Sequence, residues 1–473
     1  MQTGSTSRRF HRIAAFLVVA WTLGLVVGTA NCAAAIEKAS RPNVILIMTD
    51  DQGYGELACH GNPIIKTPHL DKLHSQSVRF TDFQVSPTCA PTRTSLMTGR
   101  HEFRSGVTHT INERERMSLK AVTIAQVLKQ AGYSTGIFGK WHLGDEAPYQ
   151  PGKRGFDETF IHGAGGIGQT YVGSCGDAPD NKYFDPAILH NGTFEKTKGF
   201  CTDVFFGQAS KWIEAQRERQ PFFAYITPNA PHAPYICPEE YAKPYRDQGL
   251  NDNAAAYYGM ITNIDDNVGK LLDRLKPWGL EENTLVIFMT DNGHSIANLY
   301  NAGMKSAKGS PYQGGTRVPA FFRWPGVLKG GTDVSSLAAH IDLFPTLAEL
   351  AGAELPAGVQ LDGRSLLPLL RDAAAPWPDR HLFVHVGRWP KGEAASSKYE
   401  KCAIRTSRFR LVNNRELYDI ASDPGETKNV IAEHPQVVAE MRAAYNGWWQ
   451  EILPALENED AVGPAVNPFK DLY

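Results

Sequence analysis

One short segment concentrates reactive groups: Cys89-Ala90-Pro91-Thr92-Arg93-Thr94-Ser95. Proline is tolerated in the first turn of a helix, so the spacing predicts a helix beginning near Cys89. The first amides of such a helix have no partner within it, and they would point at whatever Cys89 touches, making an anion site. Arg93 is four residues on and lies one turn above Cys89 on the same face. A sulfur nucleophile, free amides and a guanidinium then converge. A buried cysteine at a helix start, followed by a surface arginine, is the plainer alternative. The segment alone does not choose between them.

Other chemistry-bearing residues share a placement. Asn43–Thr49 is a continuous apolar run that ends in Asp50-Asp51-Gln52-Gly53, and Thr284–Thr290 ends in Asp291-Asn292-Gly293. The run to Gly139 ends in Lys140-Trp141-His142, and Phe222–Thr227 runs into Pro228-Asn229-Ala230-Pro231-His232. Apolar runs of this length suit strands buried on both faces of a sheet. Helical spacing fills the intervals, as in 121–132 and 264–275. Strand alternating with helix predicts an α/β fold with a large doubly wound mixed sheet flanked by helices. Ligands of such folds sit outside the carboxyl ends of the strands. Four segments therefore agree on one site.

Residues 150–200 are rich in Gly, Asp and Asn and read as a long surface excursion containing the sequon Asn191-Gly192-Thr193. Past about residue 370 the pattern changes. Pro376 and Pro378 mark a linker, short β-like runs follow at 382–386, 402–406 and 409–412, and 436–452 is helix-like. The expected domains are an α/β catalytic unit over 36–370 and a smaller C-terminal α+β domain over 371–473.

The chain has 473 residues, with 48 Lys and Arg against 50 Asp and Glu, so no basic field invites nucleic acid. An anionic substrate must be held by a few local cations. Arg8, Arg9 and Arg12 precede an apolar run from Ile13 to Ala30, followed by Cys32-Ala33-Ala34-Ala35. Residues 1–35 thus read as a signal peptide, with an uncleaved membrane anchor as the alternative. Either implies the export machinery and a periplasmic, secreted or lysosome-like location. There are seven cysteines and no CxxC pair to suggest zinc. A Cys175–Cys201 bridge is the first expectation for an oxidising compartment.

Taken together, Cys89-x-Pro91-x-Arg93 with Thr98-Gly99-Arg100 resembles the signature of type I sulfatases, in the alkaline-phosphatase superfamily. The Asp50 and Asp291 segments resemble that family's metal motifs. Gly139–Gly144, Pro231-His232-x-Pro234, Lys308–Pro319, Glu416–Asp419 and Asp423–Asn429 also match in order. The resemblance implies an alkaline-phosphatase-like fold and hydrolysis of sulfate monoesters, including aryl sulfates, to alcohol and sulfate. It implies that a maturation enzyme oxidises Cys89 to formylglycine, whose hydrate is the nucleophile. Asp50, Asp51, Asp291 and Asn292 are hard oxygen donors that suit Ca²⁺ or Mg²⁺. The family implies one Ca²⁺, with modified residue 89 as a further ligand. By the same resemblance Arg93 and Lys140 stabilise the nucleophile, and Lys308 and His232 face the sulfate, either able to protonate the leaving alcohol. His142 takes the proton that expels sulfate and restores the aldehyde. Gln313 stands where the family more often has Glu, and a structural role is expected there. His294, His101, Arg104 and His109 are candidate substrate contacts.

Two other readings stay beside this one. A phosphate or phosphonate ester hydrolase of the same superfamily would favour a second metal, and the motifs hold one metal's worth of ligands. A non-catalytic sulfated-glycan-binding protein would follow if Cys89 were unmodified, but it would need no acid and base. The expected ligand is a sulfated small molecule or glycan. Its identity belongs to loops such as 101–112, 160–200 and 384–400, where pattern carries no code. Whether Arg388 and Trp389 reach the site from the second domain is left open by the sequence.

Overall fold

The computed structural model describes Met1 and residues 41–473 apart from 172 and 220. The expected signal segment, with Cys32, lies outside the described residues.

A ten-stranded mixed sheet organises the molecule. Its centre is parallel: Thr284–Thr290, Asn43–Thr49, Phe222–Thr227, Ser134–Lys140 and Glu158–His162 lie side by side in that order. All seven residues of Asn43–Thr49 and of Thr284–Thr290 are buried, which is why these runs are continuous rather than alternating. One apolar layer covers each face. The first includes Val44, Leu46, Ile137 and Phe223, packed against the helices Ile124–Gln130 and Leu343–Leu350. The second includes Ile45, Ile47, Ala224 and Ile226, packed against Cys201–Gln216 and Asp252–Leu275. Alternate residues of one strand thus feed opposite layers.

The 150–200 segment is not wholly a surface excursion. Glu158–His162 joins the central strands, and Ala187–His190 and Thr193–Lys196 extend the sheet antiparallel to its edge. These runs are only four or five residues long, and polar turns separate them, so periodicity gave little signal.

The C-terminal part forms a four-stranded antiparallel sheet, Leu382–His385, Cys402–Arg405, Phe409–Val412 and Glu416–Asp419, against the helix Pro435–Ile452. Its core of Trp389, Leu411, Tyr445, Trp448 and Trp449 takes in Phe103 from the larger unit. Arg410 reaches back from this sheet. Fully buried, it donates to the carbonyl of Pro311 (2.6 Å), to Gln84 (2.8 Å) and to Gln313 (2.9 Å), and faces Glu426 at 3.2 Å. Gln313 therefore serves the junction between the two sheets.

The expected Cys175–Cys201 bridge is absent. Both cysteines are buried free thiols, and none of the six described cysteines is bridged. Cys175 Sγ accepts from the Gly144 amide at 3.2 Å beside Glu115, whereas Cys201 opens a helix within the second apolar layer.

Candidate active site

The helix Cys89–Thr98 begins at Cys89, as the proline spacing predicts, and every one of its residues is buried. A fully buried helix with so many polar groups needs internal partners. Thr92 donates to the carbonyl of Ser86, Ser95 to Glu102, and Thr98 to the carbonyl of Thr94. Gly99 ends the helix with φ 63°, and a Cβ there would lie 2.8 Å from Phe344.

Cys89 faces the ends of the two central strands. One donor atom each from Asp50, Cys89 and Asp291 lies within 4.8 Å of the others, and all three residues are buried. Asp51 takes the left-handed conformation with φ 67°, which lets its amide donate to Asp291 Oδ1 at 3.0 Å. Asn292 Nδ2 donates to Asp51 Oδ1 at 2.9 Å. Asp50 Oδ1 and Asn292 Oδ1 are buried oxygens with no hydrogen-bond partner. Uncompensated buried acceptors beside three carboxylates fit a hard cation bound by oxygen.

Cations ring this cluster. Lys140 Nζ lies 2.5 Å from Asp50, Lys308 Nζ lies 2.6 Å from Asp51, and Arg93 lies 3.2 Å from Asp291 and 3.8 Å from Asp50. Arg93 is also fixed by Thr227 Oγ1 at 2.5 Å and the Lys140 carbonyl at 3.1 Å. Burial opposes charge on Asp50, but Lys140, His232 and Arg93 hold its carboxyl far below the usual range. Asp291 goes the other way. Burial and the neighbouring charge of Asp50 push it up to about 8.

The two histidines are placed differently. His142 also has a positive φ, 61°, and its Nε2 donates to the Thr110 carbonyl at 2.8 Å. Nδ1 is left without a partner, and burial holds the ring neutral. His232 donates Nδ1–H to the Ala233 carbonyl at 2.7 Å and turns Nε2 toward Asp51 at 3.8 Å. Residues at positive φ are uncommon outside glycine and cluster where function over-determines the backbone. The Lys308 loop is held by close packing. A Cβ on Gly293 would fall 1.8 Å from the Gly314 carbonyl oxygen, so Gly293 lets the Asn292 turn lie against this loop.

Three of the expected substrate contacts are engaged by the protein's own side chains. His101 packs edge-on against Phe103 and Trp448 at the junction with the smaller sheet. Arg104 pairs with Asp362 at 3.1 Å and Glu451 at 2.7 Å there. Both follow the helix Cys89–Thr98 in sequence, and the turn at Gly99 leads them to the junction with the smaller sheet. His294 turns inward, with Nδ1 3.3 Å from the buried Glu56. His109 is next in the chain to Thr110, whose carbonyl accepts from His142. Its Nδ1 accepts from the Thr110 and Ile111 amides, and burial with nearby Arg388 and Arg114 lowers it to about 3.

His162 was missed. It ends the strand Glu158–His162 directly opposite Lys140, is fully buried, and has no partner for either ring nitrogen. Burial, and then Lys140, keeps it neutral. The signal was present as a fifth apolar run ending in a polar residue, hidden by the turn-rich sequence around it.

The sulfatase family model matches residues 42–353, which takes in every residue of this cluster. The chain belongs to the sulfatase family. It is an enzyme that hydrolyses sulfate esters. A second model, the C-terminal part of N-sulphoglucosamine sulphohydrolase, matches residues 307–447. Human arylsulfatase A is 32% identical over 449 residues, covering 84% of this sulfatase and 85% of the relative. Human N-acetylgalactosamine-6-sulfatase is 31% identical, covering 73% and 68%. Among solved structures, Ps i-CgsB in complex with k-i-k-neocarrahexaose superposes with a TM-score of 0.80 at 29% identity, covering 90% and 95% of the two chains. The phosphonate monoester hydrolase of Agrobacterium radiobacter superposes at 0.58 with 20% identity, a likeness of fold alone.

Proposed function

We propose that this sulfatase is an exported, calcium-dependent, formylglycine enzyme acting on sulfated carbohydrate. The observation that carries the reading is the buried set of Asp50, Cys89 and Asp291 donors, ringed by Arg93, Lys140 and Lys308. Asp50, Asp51, Asp291 and Asn292 would hold Ca²⁺, with residue 89 beside them. When bound, the metal polarises a sulfate oxygen and favours the ionised nucleophile. Oxidation of Cys89 by a maturation enzyme supplies an aldehyde whose hydrate is the attacking group.

The chain's own residues do the rest. Arg93 and Lys140, already fixed by Asp50, Asp291 and Thr227, orient the group at position 89 and offset its negative charge. Lys308 and His232 face the sulfate across Asp51, and either can give a proton to the leaving alcohol. His142 keeps Nδ1 free because Nε2 is committed to Thr110, so Nδ1 can take a proton from residue 89. A ring held neutral by burial is ready for that task at neutral pH.

We assign the substrate side to the face toward the smaller sheet, on the contact between Arg388 and Thr110. Arg388 donates to Thr110 Oγ1 at 3.0 Å, and the Thr110 carbonyl holds His142. Its guanidinium is exposed, and among the described residues no carboxylate is recorded within ion-pair distance of it. It is placed to meet a second acidic group of a sulfated glycan. Trp389 is turned into the core, against Phe103 and Trp449. We keep the domain boundary near residue 370; the first apolar layer runs on to Trp377 and the smaller sheet begins at Leu382, which supports a boundary in this stretch. Export rests on the N-terminal sequence. No described helix is long and apolar enough to cross a membrane.

The test is the state of residue 89. Mass spectrometry of the matured protein should find an aldehyde there, and Cys89→Ala should abolish aryl sulfate hydrolysis. An active preparation carrying an intact thiol would sink the mechanism. Parallel rates on aryl phosphates should be far lower than on aryl sulfates.

A further inference from the structure

A cluster of soft donors lies outside the site just described. Cys59 and His60 belong to the 3₁₀ turn Ala58–His60, and His74 lies in the last turn of the helix Pro68–Ser75. One donor atom from each lies within 4.8 Å of the others, and all three residues are half-buried.

The surroundings hold the two rings in ligand form, while burial and Asp71 push the Cys59 thiol up and keep its proton in place until a metal displaces it. His60 Nδ1 donates to the Tyr54 carbonyl at 2.8 Å, which leaves Nε2 with its lone pair free. Metal-binding histidines are commonly held this way. The His60 ring stacks on Tyr54 with centroids 3.9 Å apart. The His74 ring stands edge-on to Phe321 at 5.1 Å and to His60 at 5.6 Å, and among the described residues neither of its nitrogens has a hydrogen bond. Burial lowers the basicity of both rings, His60 to about 3, so both are neutral in ordinary conditions. Asp71 holds the Cys59 amide at 2.9 Å and also meets the thiol.

We infer that Cys59, His60 and His74 form a second metal site, for a divalent ion of the zinc class, with Asp71 beside the thiol. One sulfur and two imidazole nitrogens are the donors such ions take and calcium does not. Zinc bonds of about 2.3 Å to sulfur and about 2.0 Å to nitrogen require donors roughly 3.5 Å apart. Small side-chain rotations close that gap. On binding, the S–H bond breaks, a sulfur–metal bond forms, and one proton leaves for solvent. The imidazoles release none. The bound ion would tie the turn that follows the Asp50-Asp51 loop to the neighbouring helix. No residue is shared with the catalytic cluster. The spacing hid the site, because two donors are adjacent and the third is fourteen residues on.

Cobalt is the probe. The full-length protein is stripped with chelator, returned to excess Ca²⁺ and titrated with Co²⁺. The expected result is thiolate-to-cobalt charge-transfer absorption with the visible bands of four-coordinate cobalt, displaced by Zn²⁺ at one equivalent. Cys59→Ser and His74→Gln should each weaken binding at least about tenfold. Cys237→Ser, at the other half-buried thiol, should leave it unchanged. Both donor variants should retain aryl sulfate hydrolysis in Ca²⁺, which separates loss of the site from loss of the fold. A wild-type protein without the charge-transfer band, or a Cys59→Ser protein that keeps it, overturns the assignment. In that case the two rings and Phe321 are aromatic packing only.

Discussion

Glu56 and His294 form a buried contact beside the Asp291-Asn292-Gly293 turn. Glu56 is fully buried and neither carboxylate oxygen has a hydrogen-bond partner. Burial raises its carboxyl to about 8 and lowers His294 to about 4, so their 3.3 Å contact is between neutral groups rather than an ion pair. In the unfolded chain a glutamate titrates near about 4.3. The folded state therefore binds this proton more tightly. Its contribution to stability is complete below about 4.3 and is lost as pH rises through about 8. Glu56→Gln should flatten the fall of the thermal midpoint across that interval. A profile parallel to wild type would remove Glu56 as its cause. His294 was legible as a candidate only because it follows Asp291-Asn292-Gly293. Its inward direction was not, since one backbone step decides which side of the turn a ring occupies.

At the level of elements, two contacts from the smaller sheet carry distinct consequences. Arg410, on the strand Phe409–Val412, is buried against Glu426 and four polar partners from the larger unit, Pro311, Thr316, Gln84 and Gln313. Burial lowers the guanidinium to about 10 and raises Glu426, so each group is charged at a cost that its partner offsets. Removing one member strands the other. Arg410→Ala should therefore destabilise the protein by about 3–5 kcal/mol in denaturant unfolding. A loss below 1 kcal/mol would mean water replaces the guanidinium. Arg388 sits on the loop after Leu382–His385 and is exposed, so its removal should not affect folding. Arg388→Ala should raise KM about tenfold or more on sulfated oligosaccharides, with kcat on small aryl sulfates unchanged. Equal effects on both substrates would place Arg388 in the chemistry instead. The strands behind these contacts were visible as short apolar runs. Their pairing with the catalytic unit was not, because contacts such as Arg410 to Gln84 join residues remote in sequence.

On the scale of the whole molecule, the described residues are held by two apolar layers about the large sheet and a further core under the smaller one, with no disulfide among them. The six described cysteines are all free. The thermal midpoint should be the same with and without a thiol reductant. A drop of several degrees on reduction would reveal a bridge. The layers place the carboxyl ends of five parallel strands together, and the start of the buried helix Cys89–Thr98 reaches those ends through Cys89 beside Asp50 and Asp291 and through Arg93 on Thr227. This arrangement brings Asp50, Lys140, His162, His232 and Asp291 to one place from separate parts of the chain.

The sequence by itself determined the alternation of strand and helix, the helix beginning at Cys89, and the strand-end positions of the metal and cation residues. These are local properties. A buried strand must be apolar along its length, a proline marks a first turn, and a polar residue at a strand end is readable in place. Only the tertiary structure decided which neighbours each side chain meets. It carried His101 and Arg104 to the junction with the smaller sheet, turned His294 onto Glu56, brought His162 beside Lys140, kept Cys175 and Cys201 apart, and gathered Cys59, His60 and His74. Those outcomes depend on the packing of segments far apart in the chain, and no local pattern encodes that packing.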